Sequence, residues 1–127
     1  MAKLIKILFV DDDPAITNLL GAKLAKYEHL EIEMTNDPGA ALALAKRFEP
    51  DVAVLDIDMG STDGGALSDA FKAHPSTRDI PVLFLTSLVT KDQEKANHGV
   101  IGGRNMMSKR TTVPKLVERI EAMLENA

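Results

Sequence analysis

Residues 7–14 read Ile-Leu-Phe-Val-Asp-Asp-Asp-Pro, a short apolar run that three acids stop and a proline follows. A brief run of branched and aromatic residues bounded by polar ones is typical of a buried strand. Asp13-Pro14 is typical of a helix start, with an acid as the cap and proline in the first turn. The segment therefore predicts a strand that passes directly into a helix.

The same strand-then-helix pattern recurs along the rest of the chain. We predict strands at residues 6–10, 30–34, 52–55, 82–85 and 105–108, the last being the weakest because it holds only two methionines between polar residues. Helical patterns follow at residues 16–24, 37–48, 66–73, 90–100 and 113–124, of which 90–100 is the least clear. This alternation predicts a parallel sheet with helices on both faces, a three-layer α/β domain spanning residues 1–127.

The composition excludes several classes of protein. A chain of 127 residues with 45% hydrophobic and 27% charged residues is ordinary for one globular domain and argues against disorder. The net charge of −4 argues against direct binding to nucleic acid. The absence of cysteine excludes disulfides and suits a reducing compartment. No signal peptide and no run near the roughly 20 apolar residues of a membrane helix is visible, so we expect a cytoplasmic protein that does not enter a membrane.

Polar side chains follow four of the predicted strands where each strand ends. They are Asp11 and Asp12, then Asp56, Thr86 and Lys109. Because the carboxyl ends of parallel strands meet at one edge, we expect these groups to converge there. Clustered carboxylates repel and need a cation, and their oxygen atoms suit Mg²⁺. A carboxylate nucleophile with a metal, a lysine and a hydroxyl makes a coherent site for phosphoryl transfer.

These motifs resemble the receiver domain of bacterial two-component response regulators over nearly the whole chain. The resemblance rests on Ile7-Leu8-Phe9-Val10-Asp11-Asp12-Asp13-Pro14, Pro50-Asp51-Val52-Ala53-Val54-Leu55-Asp56, Asp63-Gly64, Pro81-Val82-Leu83-Phe84-Leu85-Thr86-Ser87 and Ser108-Lys109. It implies a flavodoxin-like (βα)5 fold whose five strands lie in the order 2-1-3-4-5.

The resemblance also implies a role for each residue. Asp56 is expected to be phosphorylated by a sensor histidine kinase or a phosphotransfer protein. Mg²⁺ is expected to bind Asp12 and Asp56, with Asp11 helping through water and the backbone carbonyl of Asp58 as a further ligand. Thr86 and Lys109 are expected to contact the phosphoryl group. The domain would then bind a downstream protein and could form a dimer with a second copy of itself. Its only chemistry would be its own phosphorylation and slow dephosphorylation.

Four positions depart from the family pattern. Met106 stands at the switch position, where the family usually has tyrosine or phenylalanine. Arg110 replaces the proline that usually follows the lysine, so we expect a trans peptide bond there. Gly60 replaces a common proline and predicts a more mobile loop. Asp58 adds a carboxylate two residues after Asp56, and its effect on the metal or on the donor is left open by the sequence.

Two other functions are compatible with parts of the sequence. Asp56-Ile57-Asp58 resembles the nucleophile and acid of haloacid-dehalogenase-like phosphatases, although that motif usually follows the first strand. A degenerate receiver that binds partners regardless of phosphorylation would explain the missing aromatic at Met106. The three histidines lack metal-ligand spacing, and residues 99–103 lack a nucleotide-binding motif and are predicted to form a turn.

Overall fold

The computed structural model describes residues 4–60 and 62–125 of the chain. Its strands are β1 (Ile5–Val10), β2 (Leu30–Thr35), β3 (Val52–Leu55), β4 (Asp58–Met59), β5 (Thr62–Asp63), β6 (Val82–Thr86), β7 (Val100–Ile101) and β8 (Arg104–Ser108). Its helices are α1 (Pro14–Leu24), α2 (Ala41–Phe48), α3 (Gly64–Ala73), α4 (Lys91–Ala96) and α5 (Val113–Glu125), and a 3-10 turn at Pro38–Ala40 precedes α2.

The central sheet has the predicted flavodoxin-like topology. Its strand order is β2-β1-β3-β6-β8-β7, and the first five of these strands pair in parallel. In chain order these are the five predicted strands, so the order 2-1-3-4-5 is confirmed. The weakly predicted fifth strand is present as β8, where Met106 lies opposite Phe84 and Ser108 opposite Thr86.

One edge of the sheet carries an additional strand that the sequence did not predict. β7 pairs antiparallel with β8 through Val100 with Asn105 and Ile101 with Arg104. Gly102 and Gly103 connect the two strands with φ angles of 60° and 77°. Two adjacent residues with positive φ match the right-handed twist of a tight hairpin, which glycine adopts without strain. The predicted turn at residues 99–103 is therefore correct at its glycine pair and wrong at Val100 and Ile101.

Helix α4 is shorter than the predicted helix at residues 90–100. Thr90 caps its first turn, since the Thr90 hydroxyl accepts a hydrogen bond from Gln93 N while the Gln93 side chain accepts one from Thr90 N. It ends at Ala96, because His98 and Gly99 take left-handed φ angles of 54° and 74° that turn the chain into β7. At the start of α1, Asp13 caps Ala15 N as predicted.

The sheet separates two hydrophobic clusters, which gives the predicted three layers. One cluster packs Leu8, Val10, Ala53, Leu55, Phe84 and Met106 against α2 and α3. The other packs Ile7, Phe9, Val52, Val54, Leu83, Leu85 and Met107 against α1 and α5. Within the described part of the chain, no helix is long and apolar enough to cross a membrane.

Candidate functional site

The carboxyl ends of β1 and β3 bring the first two acids together. Val10 and Leu55 are direct neighbours in these paired strands, and Asp56 N donates to Val10 O at 3.0 Å. Asp11 directly follows Val10 and Asp56 directly follows Leu55, so both side chains lie at the same edge of the sheet. Both residues are buried, with 6% and 5% of their surface exposed. Two carboxylates are thus held almost out of water.

Asp11, Asp12 and Asp56 form the group of acids that could hold a metal ion. One carboxylate oxygen from each lies within 4.8 Å of the others. Asp12 is exposed, unlike the other two. Three hard oxygen donors with one side open to solvent fit Mg²⁺, which keeps several waters and takes few protein ligands.

Lys109 reaches into this group from the end of β8. Its Nζ lies 2.8 Å from Asp11 Oδ2 and 3.0 Å from Asp56 Oδ2. Its backbone N donates to Thr86 O at 3.0 Å, which fixes the start of the side chain beside β6. A single ammonium group therefore bridges the two buried carboxylates.

Burial and charge shift the pKa values of this pair. Burial raises the pKa of Asp56 above its ordinary value, and the hydrogen bond from Lys109 opposes that rise without cancelling it, while the nearby charge of Asp11 adds to it. Burial lowers the pKa of Lys109, but the hydrogen bonds and charges of Asp11 and Asp56 outweigh burial and raise it. Lys109 is therefore held in its charged form. Even with Lys109 beside it, the buried Asp56 carboxylate takes up a proton more readily than an ordinary aspartate, as its raised pKa indicates.

Asp11 is oriented by its own loop and by β2. Its Oδ1 accepts from Asp13 N at 3.0 Å, which leaves Oδ2 for Lys109. Its carbonyl accepts from Asn36 Nδ2 at 2.8 Å, and the same amide donates to Thr17 Oγ1 at 2.9 Å. Asn36 was not predicted as a site residue, although it follows the end of β2 as the predicted residues follow the ends of their strands.

Thr86 lies at the same edge but is not joined to the acids. It is fully buried, and its Oγ1 accepts from Leu88 N at 3.1 Å. Its direct neighbour in the sheet is Ser108, the residue before Lys109. The backbone of Thr86 therefore lies beside the strand that leads to Lys109, while its hydroxyl is hydrogen-bonded to Leu88 in the loop that follows β6.

The segment after Asp56 folds back toward the site through β4 and β5. Asp58 is exposed and lies opposite Asp63 in this two-stranded pair. Its side chain is not part of the group of acids that could hold a metal ion. Gly64 N donates to Ile57 O at 2.8 Å, and a Cβ on Gly64 would collide with the Asp56 carbonyl oxygen. Gly60 has a φ of 66° and lies near Asp12. Glycine is required at position 64 because the backbone of Asp56 and Ile57 passes too close to leave room for a Cβ atom.

The other departures from the family pattern have defined positions. Met106 is buried in the same cluster as Phe84, so a flexible apolar side chain lies where the resemblance would place an aromatic residue. No peptide bond in the described ranges is cis, which confirms the trans bond expected between Lys109 and Arg110. Arg110 is exposed, and its backbone N donates to Ser108 Oγ at 3.2 Å.

Comparison with known protein families agrees with this arrangement. The family model for the response regulator receiver domain matches residues 7–121, so the chain belongs to that family of two-component signalling domains. The DNA-binding dual master transcriptional regulator RpaA of Synechocystis is 31% identical over 94% of this chain and 48% of its own. The heme response regulator HssR of Staphylococcus aureus strain Newman is 34% identical over 95% of this chain and 52% of its own.

Solved structures agree at the level of the fold. Chemotaxis protein CheY4 of Vibrio cholerae superposes with a TM-score of 0.77 and 23% identity, covering 94% of this chain and 98% of its own. The chain spans about half the length of the two curated relatives, RpaA and HssR. The similarity to them concerns this domain.

Proposed function

We propose that Asp56 accepts a phosphoryl group from a phosphohistidine on a sensor histidine kinase or a phosphotransfer protein, and that this modification controls protein binding. The observation that carries the proposal is the bridge from Lys109 Nζ to Asp11 Oδ2 and Asp56 Oδ2, at 2.8 and 3.0 Å. A buried carboxylate beside a fixed ammonium suits a nucleophile for phosphoryl transfer, and two further acids suit a metal ion that would offset the negative charge of the incoming group.

The transfer exchanges one bond to phosphorus for another. An oxygen of the Asp56 carboxylate bonds to phosphorus while the bond from phosphorus to the donor imidazole breaks. The electron pair of that bond stays on the imidazole, whose other nitrogen carries the proton that keeps it neutral. Lys109 stabilises charge on the phosphoryl oxygens as they arrive, because its ammonium already lies within hydrogen-bonding distance of Asp56.

Asp11, Asp12 and Asp56, with the backbone carbonyl of Asp58, are the residues proposed to hold Mg²⁺. When bound, the ion supplies positive charge to the carboxylates and to the transferring phosphoryl oxygens. Asp11 Oδ1 and Oδ2 are both engaged within the protein, whereas Asp12 is exposed. This difference supports direct binding by Asp12 and a contact from Asp11 through water.

Phosphorylation is proposed to act on the surface made by α4, β7, β8 and α5. The modification adds about −1.5 to −2 charges at Asp56. Lys109 would move from Asp11 toward the phosphoryl group, and the Thr86 hydroxyl would leave Leu88 N to donate to it. Because Thr86 and Lys109 belong to β6 and β8, both movements reach the surface that a downstream protein or a second copy would bind.

The domain is proposed to work in the cytoplasm through protein contacts and without catalysing turnover of a separate substrate. RpaA is a DNA-binding regulator by its description, but this chain spans 48% of it. The net charge of −4 supports a domain that does not itself hold nucleic acid. The phosphatase alternative would need Asp58 as a general acid beside Asp56. The motif that suggests it usually follows the first strand of a domain, whereas Asp56 follows β3.

Labelling with a phosphodonor tests the proposal. Acetyl phosphate or a phosphorylated histidine kinase, with Mg²⁺, should label the wild type once per chain, and Asp56→Asn should abolish labelling. Asp58→Asn is the matched control, since it removes an exposed carboxylate and keeps the backbone carbonyl. It should be labelled like the wild type. Acyl-phosphate labelling, recognised by its release with hydroxylamine, that persists in Asp56→Asn would refute the assignment. Continuous hydrolysis of a generic phosphate ester that Asp58→Asn abolishes would also refute it.

A further inference from the structure

Helix α4 is attached to the sheet through a polar side chain and has no buried apolar face. None of its residues is buried, and Glu94 is the one residue of its six that is not exposed. Glu94 Oε1 accepts a hydrogen bond from Ser108 N at 2.8 Å. The α4 side chain that contacts the sheet is thus a carboxylate that accepts a hydrogen bond from a backbone amide. It is not an apolar group packed into the core.

The amide that Glu94 binds has no partner strand. Successive amides of a strand point to opposite sides, and Lys109 N donates to Thr86 O in β6. On the other side, Met106 N donates to Gly99 O, the residue just before β7 begins. Ser108 N points to the same side as Met106 N, two residues further along β8. At that point β8 has passed the end of β7, so among the residues described no strand faces the Ser108 amide. Ser108 is 1% exposed, so Glu94 supplies an acceptor that neither water nor the sheet supplies.

Ser108 directly precedes Lys109, whose ammonium bridges Asp11 and Asp56. The backbone on either side of this junction is therefore held twice, by Glu94 at Ser108 N and by Thr86 O at Lys109 N. Glu94 itself is fixed in α4, since its N donates to Thr90 O and its carbonyl accepts from Gly99 N. One side chain therefore connects α4 with the lysine of the phosphorylation site.

We propose that Glu94 is a positioning residue for Lys109, and that its bond to Ser108 N couples α4 to the state of Asp56. The second part rests on the function proposed above. A contact that holds the Lys109 backbone in place also transmits its displacement, because coupling between two sites is reciprocal. A partner that binds α4 and draws Glu94 away from Ser108 would thereby change the reactivity of Asp56.

Four variants separate this role from simple support of the helix. Glu94→Ala removes the acceptor, Glu94→Gln keeps a neutral one, and Glu94→Asp keeps the charge on a side chain too short to reach. Asp92→Asn is the matched control, since it changes an exposed acid of the same helix. The amide resonances of Ser108 and Lys109, and the side-chain resonances of Lys109, are measured by NMR in the unphosphorylated protein without Mg²⁺. The rate of labelling by acetyl phosphate with Mg²⁺ is measured separately.

In Glu94→Ala and Glu94→Asp, we expect the Ser108 amide proton to move upfield and the Lys109 side-chain resonances to shift. We expect their labelling to slow by about ten-fold, as a misplaced catalytic group causes. Glu94→Gln should restore most of both signals, and Asp92→Asn should match the wild type. Unchanged Lys109 resonances in Glu94→Asp would overturn the proposal, and this variant decides if Glu94→Ala does not fold. The NMR comparison needs no phosphorylation, so an unlabelled wild type would refute the proposed function without deciding this inference.

Discussion

Lys109 and Asp56 are joined across the sheet edge by a 3.0 Å bond between Nζ and Oδ2, although 53 residues separate them in the chain. The bond is largely sheltered, since 18% of the Lys109 side chain and 6% of the Asp56 side chain are exposed. Lys109 Nζ also holds Asp11 Oδ2 at 2.8 Å. One ammonium group therefore balances the charge of two buried carboxylates, and its loss would leave both of them without this partner.

Removing that cation should affect stability and reactivity together. In Lys109→Met, which keeps the apolar stem, two buried carboxylates lose their common partner. We expect the free energy of unfolding at neutral pH to fall by about 1–3 kcal/mol, less than for a fully buried pair because Lys109 is partly exposed. Labelling of Asp56 by acetyl phosphate should fall at least about a hundred-fold.

Urea denaturation and labelling measure the two effects. Mg²⁺ should recover more stability in Lys109→Met than in the wild type, because a cation bound by the same acids replaces part of the lost charge. Lys115→Met, which removes an exposed lysine of α5, is the control and should leave both quantities unchanged. Labelling of Lys109→Met at the wild-type rate would contradict the role proposed for this lysine.

The raised pKa of Asp56 predicts how stability depends on pH. Burial raises this pKa in the folded protein above its ordinary value of 3.8. The folded state therefore binds the Asp56 proton more tightly than the unfolded chain does. The stabilisation that results is fully present below pH 3.8 and is lost as the pH rises through the pKa of Asp56 in the folded protein. At neutral pH the ionised Asp56 therefore destabilises the fold.

Asp56→Asn should accordingly be more stable than the wild type at neutral pH without Mg²⁺, by about 1–2 kcal/mol. The difference should shrink as pH falls toward the ordinary pKa of aspartate, and also when Mg²⁺ is added at neutral pH. Urea denaturation across this pH range measures it, with Asp58→Asn as the exposed control. A stability difference between Asp56→Asn and the wild type that stays constant with pH would show that burial of the charge is not its cause.

Much of the fold and the site follows from local patterns in the sequence. Apolar runs that end in acids, a threonine or a lysine predict both the strands and the edge where their ends meet. Asp13-Pro14 predicts the start of α1 because capping depends on neighbouring residues only. The parallel sheet then brings Asp11 and Asp56 together whatever the details of the loops, since Val10 and Leu55 are neighbours in β1 and β3.

The features that were not predicted depend on contacts between distant segments. Asn36 binds the carbonyl of Asp11, and Glu94 binds the amide of Ser108. The position of Asn36 after β2 indicates the sheet edge but not this bond, and no periodicity or motif marks Glu94. The strand β7 was not predicted because two residues between glycines carry too little pattern. The requirement for Gly64 is visible only when the backbone of Asp56 is seen to pass beside it.

Gly64 offers a sharp test of the loop that carries Asp56. A Cβ at this position would meet backbone atoms of Asp56 and Ile57, which cannot rotate away as a side chain could. We expect Gly64→Ala to lower the free energy of unfolding by about 1–3 kcal/mol through displacement of the segment after Asp56. Labelling by acetyl phosphate should fall in parallel, since the displaced segment directly follows Asp56, the proposed nucleophile.

Gly21→Ala is the matched control for this substitution. Gly21 lies within α1, and its Cβ would lie 3.6 Å from the flexible Met34 side chain, an ordinary contact. Alanine is the better helix former, so this variant should be more stable by about 0.5–1 kcal/mol and should be labelled normally. Equal effects of the two substitutions in urea denaturation would show that the approach of Gly64 to Asp56 is not tight.

Met106 allows the proposed switching function to be tested separately from phosphorylation. It lies opposite Phe84 on neighbouring strands, and both are buried in the same cluster. An unbranched thioether can change rotamer within such a cluster, so movement of Thr86 toward a phosphoryl group leaves space that Met106 can fill. We expect beryllofluoride with Mg²⁺, which mimics the acyl phosphate, to shift the amide NMR signals of Thr86, Met106 and Lys109.

The same spectra separate a switching receiver from a passive one. Asp56→Asn should abolish all of these shifts, because it removes the oxygen that binds beryllium. Met106→Val keeps an apolar side chain but restricts its rotamers, so its Thr86 signal should still shift while signals from α4 and α5 respond less. Shifts confined to Asp56 and the acids, with silence at Thr86 and Met106 in the wild type, would favour a module that binds its partners regardless of phosphorylation.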